Sequence, residues 1–304
     1  MGGRRLIVGT RGSRLALWQA NWVKVRLEER VKRGQVDLEI IRTQGDQRTD
    51  VPLAEIGGKG LFTKEIERAL LEGRVDLAVH SMKDLPTELP EGLQIGAVTA
   101  REDVRDVLIS RDGKKFSELP AGARIGTGSV RRRAQLGHLR EDVSFEDLRG
   151  NLDTRLRKLR EGQFDAMVLA AAGLKRMGWV DVIAEYISTE RCLPAVGQGA
   201  LGVEIREDDK EVAELVSALE DGDTRWGVMA ERSFLAALGG GCQVPIGAWG
   251  RVEQGKVVLE GMIAEKSGEW VVRGKRRGDR SDTERIGVAL AEELLERGAS
   301  FLSR

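Results

Sequence analysis

The chain has 304 residues, long enough for about two or three domains, and its 49 basic and 49 acidic side chains leave no net charge, which excludes the basic coat of a general nucleic-acid binder. At 41% hydrophobic and 32% charged it has the composition of a soluble globular protein, and its longest apolar run, Ala166–Ala172, is far short of a membrane span. Two cysteines make no disulfide framework, and Met1-Gly2-Gly3-Arg4-Arg5 leads straight into strand-like Leu6-Ile7-Val8 without a signal peptide, so a reducing, cytoplasmic setting is expected.

Leu6–Val8 reads as a strand and Arg14–Arg33 as a helix, with Leu17, Trp18, Trp22 and Val25 near helical spacing. Val36–Ile41 is a strand, Phe62–Leu71 a helix stopped by Gly73, and Val75–Val79 and Leu93–Val98 are strands. A second set begins near Asp106, with strands Val107–Ile109 and Arg124–Ile125, a helix from Ser129 and a strand Ala166–Leu169. Strands and helices in alternation predict parallel, doubly wound sheets. The last third changes character. Asp223-Thr224 caps a helix with Trp226, Met229, Ala230 and Ala237 on one face. Strands follow around Ala248, over Val257–Ile263 and over Trp270–Val272. Ser281-Asp282-Thr283-Glu284 is a capping box that opens a final helix, ended by Gly298. Strands in succession without intervening helices predict a small antiparallel α+β domain.

Chemistry-bearing residues gather where strands end. Val75–Val79 runs into His80-Ser81-Met82-Lys83-Asp84, and open α/β sheets bind ligands beyond the carboxyl ends of their strands. A carboxylate at Asp84 can accept N–H bonds, stabilise a developing cation and shuttle protons; the competing reading is a cap on the turn before Pro86. His80, Ser81 and Asp84 do not make a hydrolase triad, because neighbouring positions on an extended strand face opposite ways. In Ile125-Gly126-Thr127-Gly128-Ser129-Val130-Arg131-Arg132 a strand passes through a small-residue turn into a helix. Backbone N–H groups, the hydroxyls of Thr127 and Ser129, and Arg131 and Arg132 there suit an anion better than a plain cap with a solvated basic face. Arg131 stands where a dinucleotide fingerprint needs its third glycine.

Arg11 and Ser13, Arg149 and Arg155, and Arg176 lie at other strand–helix junctions. Together they predict one arginine-lined cleft for a small ligand that carries several carboxylates, or for a phosphate. Gly57-Gly58-Lys59-Gly60 fails as a P-loop, since Gly60 replaces the magnesium-binding hydroxyl; a flexible loop with Lys59 as an anion contact fits better. Val196-Gly197-Gln198-Gly199-Ala200 reads as a crossing between domains, with Gln198 facing the cleft. Cys242 follows three glycines, Gly239 to Gly241, on a loop that leaves its sulfur open as nucleophile, metal ligand or covalent tether. His80 and His138 are the only histidines and neither cysteine has a partner at ligand spacing, so no metal is expected, and Cys242 has no adjacent histidine base for acyl transfer. Cys192, beside Leu193-Pro194, reads as a buried or junction thiol.

Four stretches taken in order, Ala78–Asp84, Gly126–Arg132, Leu193–Ala200 and Gly240–Pro245, resemble the porphobilinogen deaminase (hydroxymethylbilane synthase) family across essentially the whole chain. The resemblance implies three domains: residues 1–99 with a returning segment 200–218, residues 100–199, and residues 219–304. The first two are periplasmic-binding-protein-like, doubly wound α/β units around a cleft, and the third is a small α+β domain that holds the cysteine. The implied enzyme is a transferase that polymerises porphobilinogen, with loss of ammonia, into the linear tetrapyrrole hydroxymethylbilane. A cytoplasmic monomer is expected, since nothing in the sequence demands an interface, with no nucleic acid or membrane as partner. By resemblance, Cys242 carries a dipyrromethane cofactor through a thioether, and Ser81, Lys83, Asp84, Thr127, Ser129, Arg131 and Arg132 bind that cofactor. Arg11, Ser13, Arg149, Arg155 and Arg176 bind substrate carboxylates, with Lys59 and Gln198 as weaker correspondences.

The chemistry fits the residues. Each pyrrole brings an acetate and a propionate, which an arginine-lined cleft would hold. Loss of ammonia leaves a cationic methylene-pyrrole, for which a buried carboxylate, Asp84, is the stabiliser. Two positions depart from the family: Glu55 stands where some relatives carry lysine, and Gly128 replaces a common serine, which removes a hydroxyl and loosens the turn. The alternatives are a non-enzymatic binding protein for a polycarboxylate ligand, which needs neither Asp84 nor Cys242, and a cysteine-nucleophile acyl transferase.

Overall fold

A computed structural model describes residues 5–30, 35–47, 60–240 and 245–302. Glu55, Lys59 and Cys242 lie outside the described residues. The described residues divide into two compact units: those within Met1–Asp50, Gly58–Glu102 and Ala200–Arg225 form one, and those within Asp103–Gly199 and Trp226–Arg304 the other.

In the first unit, β1 (Leu6–Thr10), α1 (Arg14–Glu28), β2 (Val36–Ile40), α2 (Gln44–Gln47), α3 (Lys64–Leu71), β3 (Leu77–Ser81) and β4 (Leu93–Val98) precede the returning β10 (Leu201–Arg206) and α7 (Lys210–Ser217). The strand order is β2-β1-β3-β10-β4. β1 runs parallel to β2 and β3, but β10 is antiparallel to both β3 and β4. An all-parallel sheet, as alternation predicts, is therefore corrected: the returning segment fills the gap between β3 and β4 from the opposite direction. Both faces are covered. Ala20, Val23 and Leu27 of α1 and Val212 and Val216 of α7 pack with Leu6, Val8, Val79 and Val203 in one apolar cluster. Ile66, Ala69 and Leu70 of α3 pack with Val75, Ala78 and Leu93 in another. α1 stops at Glu28, short of the expected Arg33.

The second unit holds two sheets. β5 (Asp106–Ser110), β6 (Arg124–Gly126), α4 (Val130–Leu139), β7 (Ser144–Glu146), α5 (Leu152–Arg160), β8 (Ala166–Ala170), α6 (Ala171–Arg176) and β9 (Glu185–Ile187) build a sheet ordered β7-β6-β8-β5-β9. β6 is parallel to β7 and β8, whereas β5 is antiparallel to β8 and β9. This sheet too is mixed rather than parallel. The other is the antiparallel meander of β11 (Ile246–Glu253), β12 (Lys256–Ala264) and β13 (Val271–Gly278). It packs its apolar face on α8 (Gly222–Ala237), from Trp226 onward, and α9 (Thr283–Leu302), through Phe234, Leu259, Leu290 and Leu294.

Several boundaries differ from the sequence reading. Thr224 N donates to Asp221 Oδ1 at 2.8 Å, so Asp221 rather than Asp223-Thr224 caps α8. α9 opens at Thr283 after a 3-10 turn at Arg280–Asp282 and continues through Gly298, which does not end it. A Cβ at Gly298 would lie 3.1 Å from Ile263 Cδ1, so this glycine lets the helix approach the sheet closely. A second close approach is backbone to backbone: a Cβ built on Gly250 of β11 would sit 2.1 Å from the carbonyl oxygen of Gly227 in α8.

Candidate active site

Within the first unit, Ser13 is the N-cap of α1, its hydroxyl accepting from Ala16 N at 3.3 Å. Arg11, half-buried just before it, lays its guanidinium over the Phe62 ring at 4.1 Å. β3 delivers His80 and Ser81 at its end, and the chain then tightens into a 3-10 turn, Met82–Asp84. Met82 is the buried member of that turn, at 1% exposure, while Lys83 and Asp84 face outward. The expectation of a buried carboxylate at Asp84 is corrected: the 3-10 turn carries it to the surface. Ser81 is tied to buried Gln19, whose Nε2 donates to Ser81 Oγ at 3.0 Å.

His80 faces the other way, into the sheet's cover. Its Nε2 lies 3.0 Å from Glu204 Oε2 on the neighbouring β10, both side chains being buried. Glu67 of α3 is buried as well, and burial, reinforced by Glu204, pushes its carboxyl above the ordinary value although Thr63 opposes the shift. Sequence reading passed over Glu204 because its partner is 124 residues away.

The second unit carries the arginines. β6 ends at Gly126, and Thr127 N donates to Glu146 O at 2.8 Å. Ser129 N donates to Thr127 Oγ1 at 3.3 Å, and Ser129 Oγ caps α4 by accepting from Arg132 N at 3.4 Å. Capping and anion binding are compatible here, since a hydroxyl that accepts one bond still has its own hydrogen to donate. Gly128 does not loosen this turn: a Cβ there would come within 3.2 Å of Leu148 O, so glycine lets the turn press against that carbonyl.

Arg131 and Arg132 are not on a solvated face. They are 4% and 6% exposed, and both reach Asp106, the fully buried first residue of β5. Arg131 Nη1 lies 2.8 Å from Asp106 Oδ2, and Arg132 Nη2 lies 2.7 Å from Oδ1. Arg131 Nη1 also donates to Leu193 O at 2.5 Å, and Arg132 Nη1 to Val168 O at 3.0 Å. Burial alone would raise the Asp106 carboxyl, but the two guanidiniums outweigh it and hold the group well below the usual carboxylate range. Cys192, also fully buried, donates its thiol to Asp106 Oδ2 at 3.4 Å. Burial pushes that thiol up to about 12, so it stays neutral. Two cations thus face one anion, and the Nε atoms of both arginines are buried without an acceptor. A surplus of positive charge with N–H donors still to be accepted fits a group that bears carboxylates, as dipyrromethane does.

The other candidates of the second unit differ in their partners. Gln198 is 1% exposed, and its Nε2 donates to Asp106 Oδ1 at 2.9 Å and Val104 O at 2.7 Å, so its amide nitrogen braces Asp106. Arg149, Arg155 and Arg176 are half-buried. Arg155 Nε donates to Gly150 O at 2.8 Å, and Arg176 Nη2 to Gly199 O at 2.6 Å. Gly150 has φ +104, a backbone open to glycine, which turns the chain before Asn151 caps α5. Gln135 and Arg273 are further members that sequence reading missed. Arg273 Nη2 on β13 donates to Gln135 Oε1 at 2.7 Å, and that oxygen also accepts from Leu193 N at 2.8 Å. The antiparallel meander is thereby bonded to the arginine-bearing helix α4. Among the described residues no cluster of His, Cys, Asp or Glu could hold a metal ion, and no helix is long and apolar enough to cross a membrane.

Residues 6–214 match the family model described as "Porphobilinogen deaminase, dipyromethane cofactor binding domain", and residues 226–296 match "Porphobilinogen deaminase, C-terminal domain". The porphobilinogen deaminase of Pelotomaculum thermopropionicum is 55% identical over 296 residues, which span 97% of this chain and 95% of that protein. That of Syntrophobacter fumaroxidans is 52% identical over 299 residues, 98% of this chain and 97% of the relative. Among solved structures, a periplasmic binding protein of Salmonella typhimurium gives a TM-score of 0.40 at 15% identity over 71% of this chain and 91% of its own, a likeness too slight to carry an argument. With both family models matched in order and relatives more than half identical over nearly their full length, the chain belongs to the porphobilinogen deaminase family.

Proposed function

We propose that this chain is a hydroxymethylbilane synthase, a transferase that joins porphobilinogen units into hydroxymethylbilane and releases one ammonia for each unit added. The observation that carries the reading is the buried pair Arg131 and Arg132, which outnumber their single carboxylate and leave two N–H groups for a ligand anion. When bound, dipyrromethane supplies the pyrrole carbon from which the product is built. Cys242 holds it through a thioether, and Arg131, Arg132, Thr127, Ser129, Ser81 and Lys83 bind its carboxylates. Arg11, Ser13, Arg149, Arg155 and Arg176, with Lys59, receive the acetate and propionate groups of incoming substrate, while Gln198 serves the site through its bond to Asp106.

Asp84 carries the repeated chemistry. Porphobilinogen becomes electrophilic when its protonated amine leaves as ammonia, and the carboxylate of Asp84 offsets the positive charge that develops on the remaining methylene-pyrrole. The same carboxylate then takes the proton displaced as the new carbon–carbon bond forms. Its exposed position on the Met82–Asp84 turn leaves it reachable by a substrate. Residues 1–99 with 200–218, 100–199 and 219–304 are assigned as three domains, and the chain as a cytoplasmic monomer.

Intact-mass spectrometry of the purified protein tests the reading. The mass is expected to exceed that of the sequence by two linked pyrrole units, on the peptide that contains Cys242. Asp84→Asn should keep that mass and lose about 10²–10³ in kcat with porphobilinogen. Active protein with the bare sequence mass would refute the tether, and wild-type turnover by the variant would refute the role of Asp84.

A further inference from the structure

Every acceptor position on Asp106 is taken from within the protein. Oδ1 receives Arg132 Nη2 at 2.7 Å and Gln198 Nε2 at 2.9 Å; Oδ2 receives Arg131 Nη1 at 2.8 Å and Cys192 Sγ at 3.4 Å. A carboxylate offers about four lone-pair sites. Asp106 is fully buried and saturated, so it meets no ligand itself. Its effect falls on the arginines. Arg132 is pinned through two nitrogens, Nη2 on Asp106 and Nη1 on Val168 O, and Arg131 through Nη1, which meets two partners, Asp106 and Leu193 O. Two fixed partners stop a planar fork from swinging, so both Nε–H groups hold one orientation without an acceptor. The charge is also set. Two guanidiniums, one carboxylate and a neutral thiol leave a single positive charge surplus in a desolvated pocket, where the attraction for one anion is far stronger than in water.

We infer that Asp106 is the positioning residue of the carboxylate-binding site, fixing Arg131 and Arg132 so that their Nε edges and one surplus charge await a cofactor carboxylate. The inference rests on the proposed function for the identity of that carboxylate. It assigns Gln198 a related part, since its amide holds Asp106 Oδ1 against Val104 O. Orientation and desolvation of the two arginines are completed on folding, so a ligand binds a site already set.

The test is the fraction of chains that carry the added two-pyrrole mass after purified protein is incubated with porphobilinogen, for wild type, Asp106→Asn and Asp106→Glu. Asp106→Asn keeps size and one acceptor oxygen but removes the charge and aims an amide N–H at a guanidinium. It is expected to stay folded by circular dichroism and to load at least tenfold less than wild type. Asp106→Glu keeps the charge and should load at least threefold better than Asp106→Asn. A purely structural role would lower unfolding stability in both variants without separating their loading. Loading of Asp106→Asn within twofold of wild type overturns the inference. So does unfolding of both variants at 25 °C, because Asp106 would then serve the fold alone. Wild-type protein without the added mass would instead overturn the functional reading, which keeps the two failures distinct.

Discussion

Gly250→Ala probes the tightest backbone approach in the second unit. The new methyl would sit 2.1 Å from Gly227 O, with the Gly227 carbonyl carbon at 2.7 Å and its Cα at 2.9 Å. Carbon and oxygen need roughly 3.5 Å, and no flexible side chain can give way, so α8 and β11 must part by about 1 Å or more. Overpacking of this kind costs about 1–3 kcal/mol. The displacement also strains a buried charge-assisted bond: Gly250 N donates to Glu231 Oε1 at 2.6 Å, and Glu231 Oε2 accepts from Gly197 N at 2.6 Å. Weakening such a bond adds about 1.5–3 kcal/mol. Alanine stiffens the unfolded chain and offsets about 0.4–1 kcal/mol of this. The net loss is about 2–5 kcal/mol, a fall in melting temperature of about 5–15 °C for a unit of this size. Thermal and urea unfolding of both proteins measure it. A loss under about 0.5 kcal/mol, within the range of neutral surface changes, would refute the packing argument.

Gly137 lies inside α4, and a Cβ there meets its nearest neighbour, Phe145 Cε2, at 3.6 Å, so Gly137→Ala should stabilise by about 0.5–1 kcal/mol, read as a rise in the urea midpoint. Acid should weaken the second unit through Asp106. Its carboxyl is depressed in the folded state and titrates near 3.9 when unfolded, so its contribution is full above about pH 5, declines once pH falls below about 4 and is lost only as pH falls through the depressed folded value. The stability difference between wild type and Asp106→Asn should therefore narrow from pH 5 to pH 2, and a constant difference over that range would contradict the ion-pair assignment. Cys192, fully buried with its thiol pushed up to about 12, should resist a maleimide in the native protein and react once denatured; rapid native labelling on the Cys192 peptide would contradict its burial.

Local chemistry was legible, and distant partnership was not. Ser13, Ser129 and Asn151 announce helix starts because a short polar side chain before a helix has few other uses, and all three cap as such residues do. The small-residue turn from Thr127 to Ser129 that opens a helix follows from the same locality. Asp106 carries no local signal: it looks like a surface residue before an apolar strand, and its partners lie 25 and 26 positions on in the chain. Arg273 finds Gln135 across 138 residues, a pairing that only the packing of the meander on α4 creates. Strand direction was equally hidden. Leu201–Arg206 is buried on both faces and reads the same whichever way it runs, so nothing in it marks β10 as antiparallel. Gly298 misled for a related reason, since a glycine that ends a helix and one that admits a neighbouring sheet look alike in sequence.

Burial divides the arginines into two classes, and salt should separate them. Arg131 and Arg132 are buried, out of reach of mobile ions. Arg155 is half-buried, with its Nε on Gly150 O, so its remaining donors act partly through solvent. Screening shortens to about 3 Å at 1 M ionic strength from about 10 Å at 0.1 M, and reaches only charges that water reaches. The rise in KM caused by Arg155→Gln should thus shrink as salt increases, because wild-type protein loses the same attraction. The loading defect of Asp106→Asn should persist across that range, since it comes from the geometry and charge of a buried pair. Saturation curves for the first variant and intact-mass loading for the second, each at low and high salt, make the comparison. Equal shrinkage of both defects would mean that the buried pair is screened like a surface charge, and the distinction between a preset anchor and solvent-exposed substrate contacts would fail.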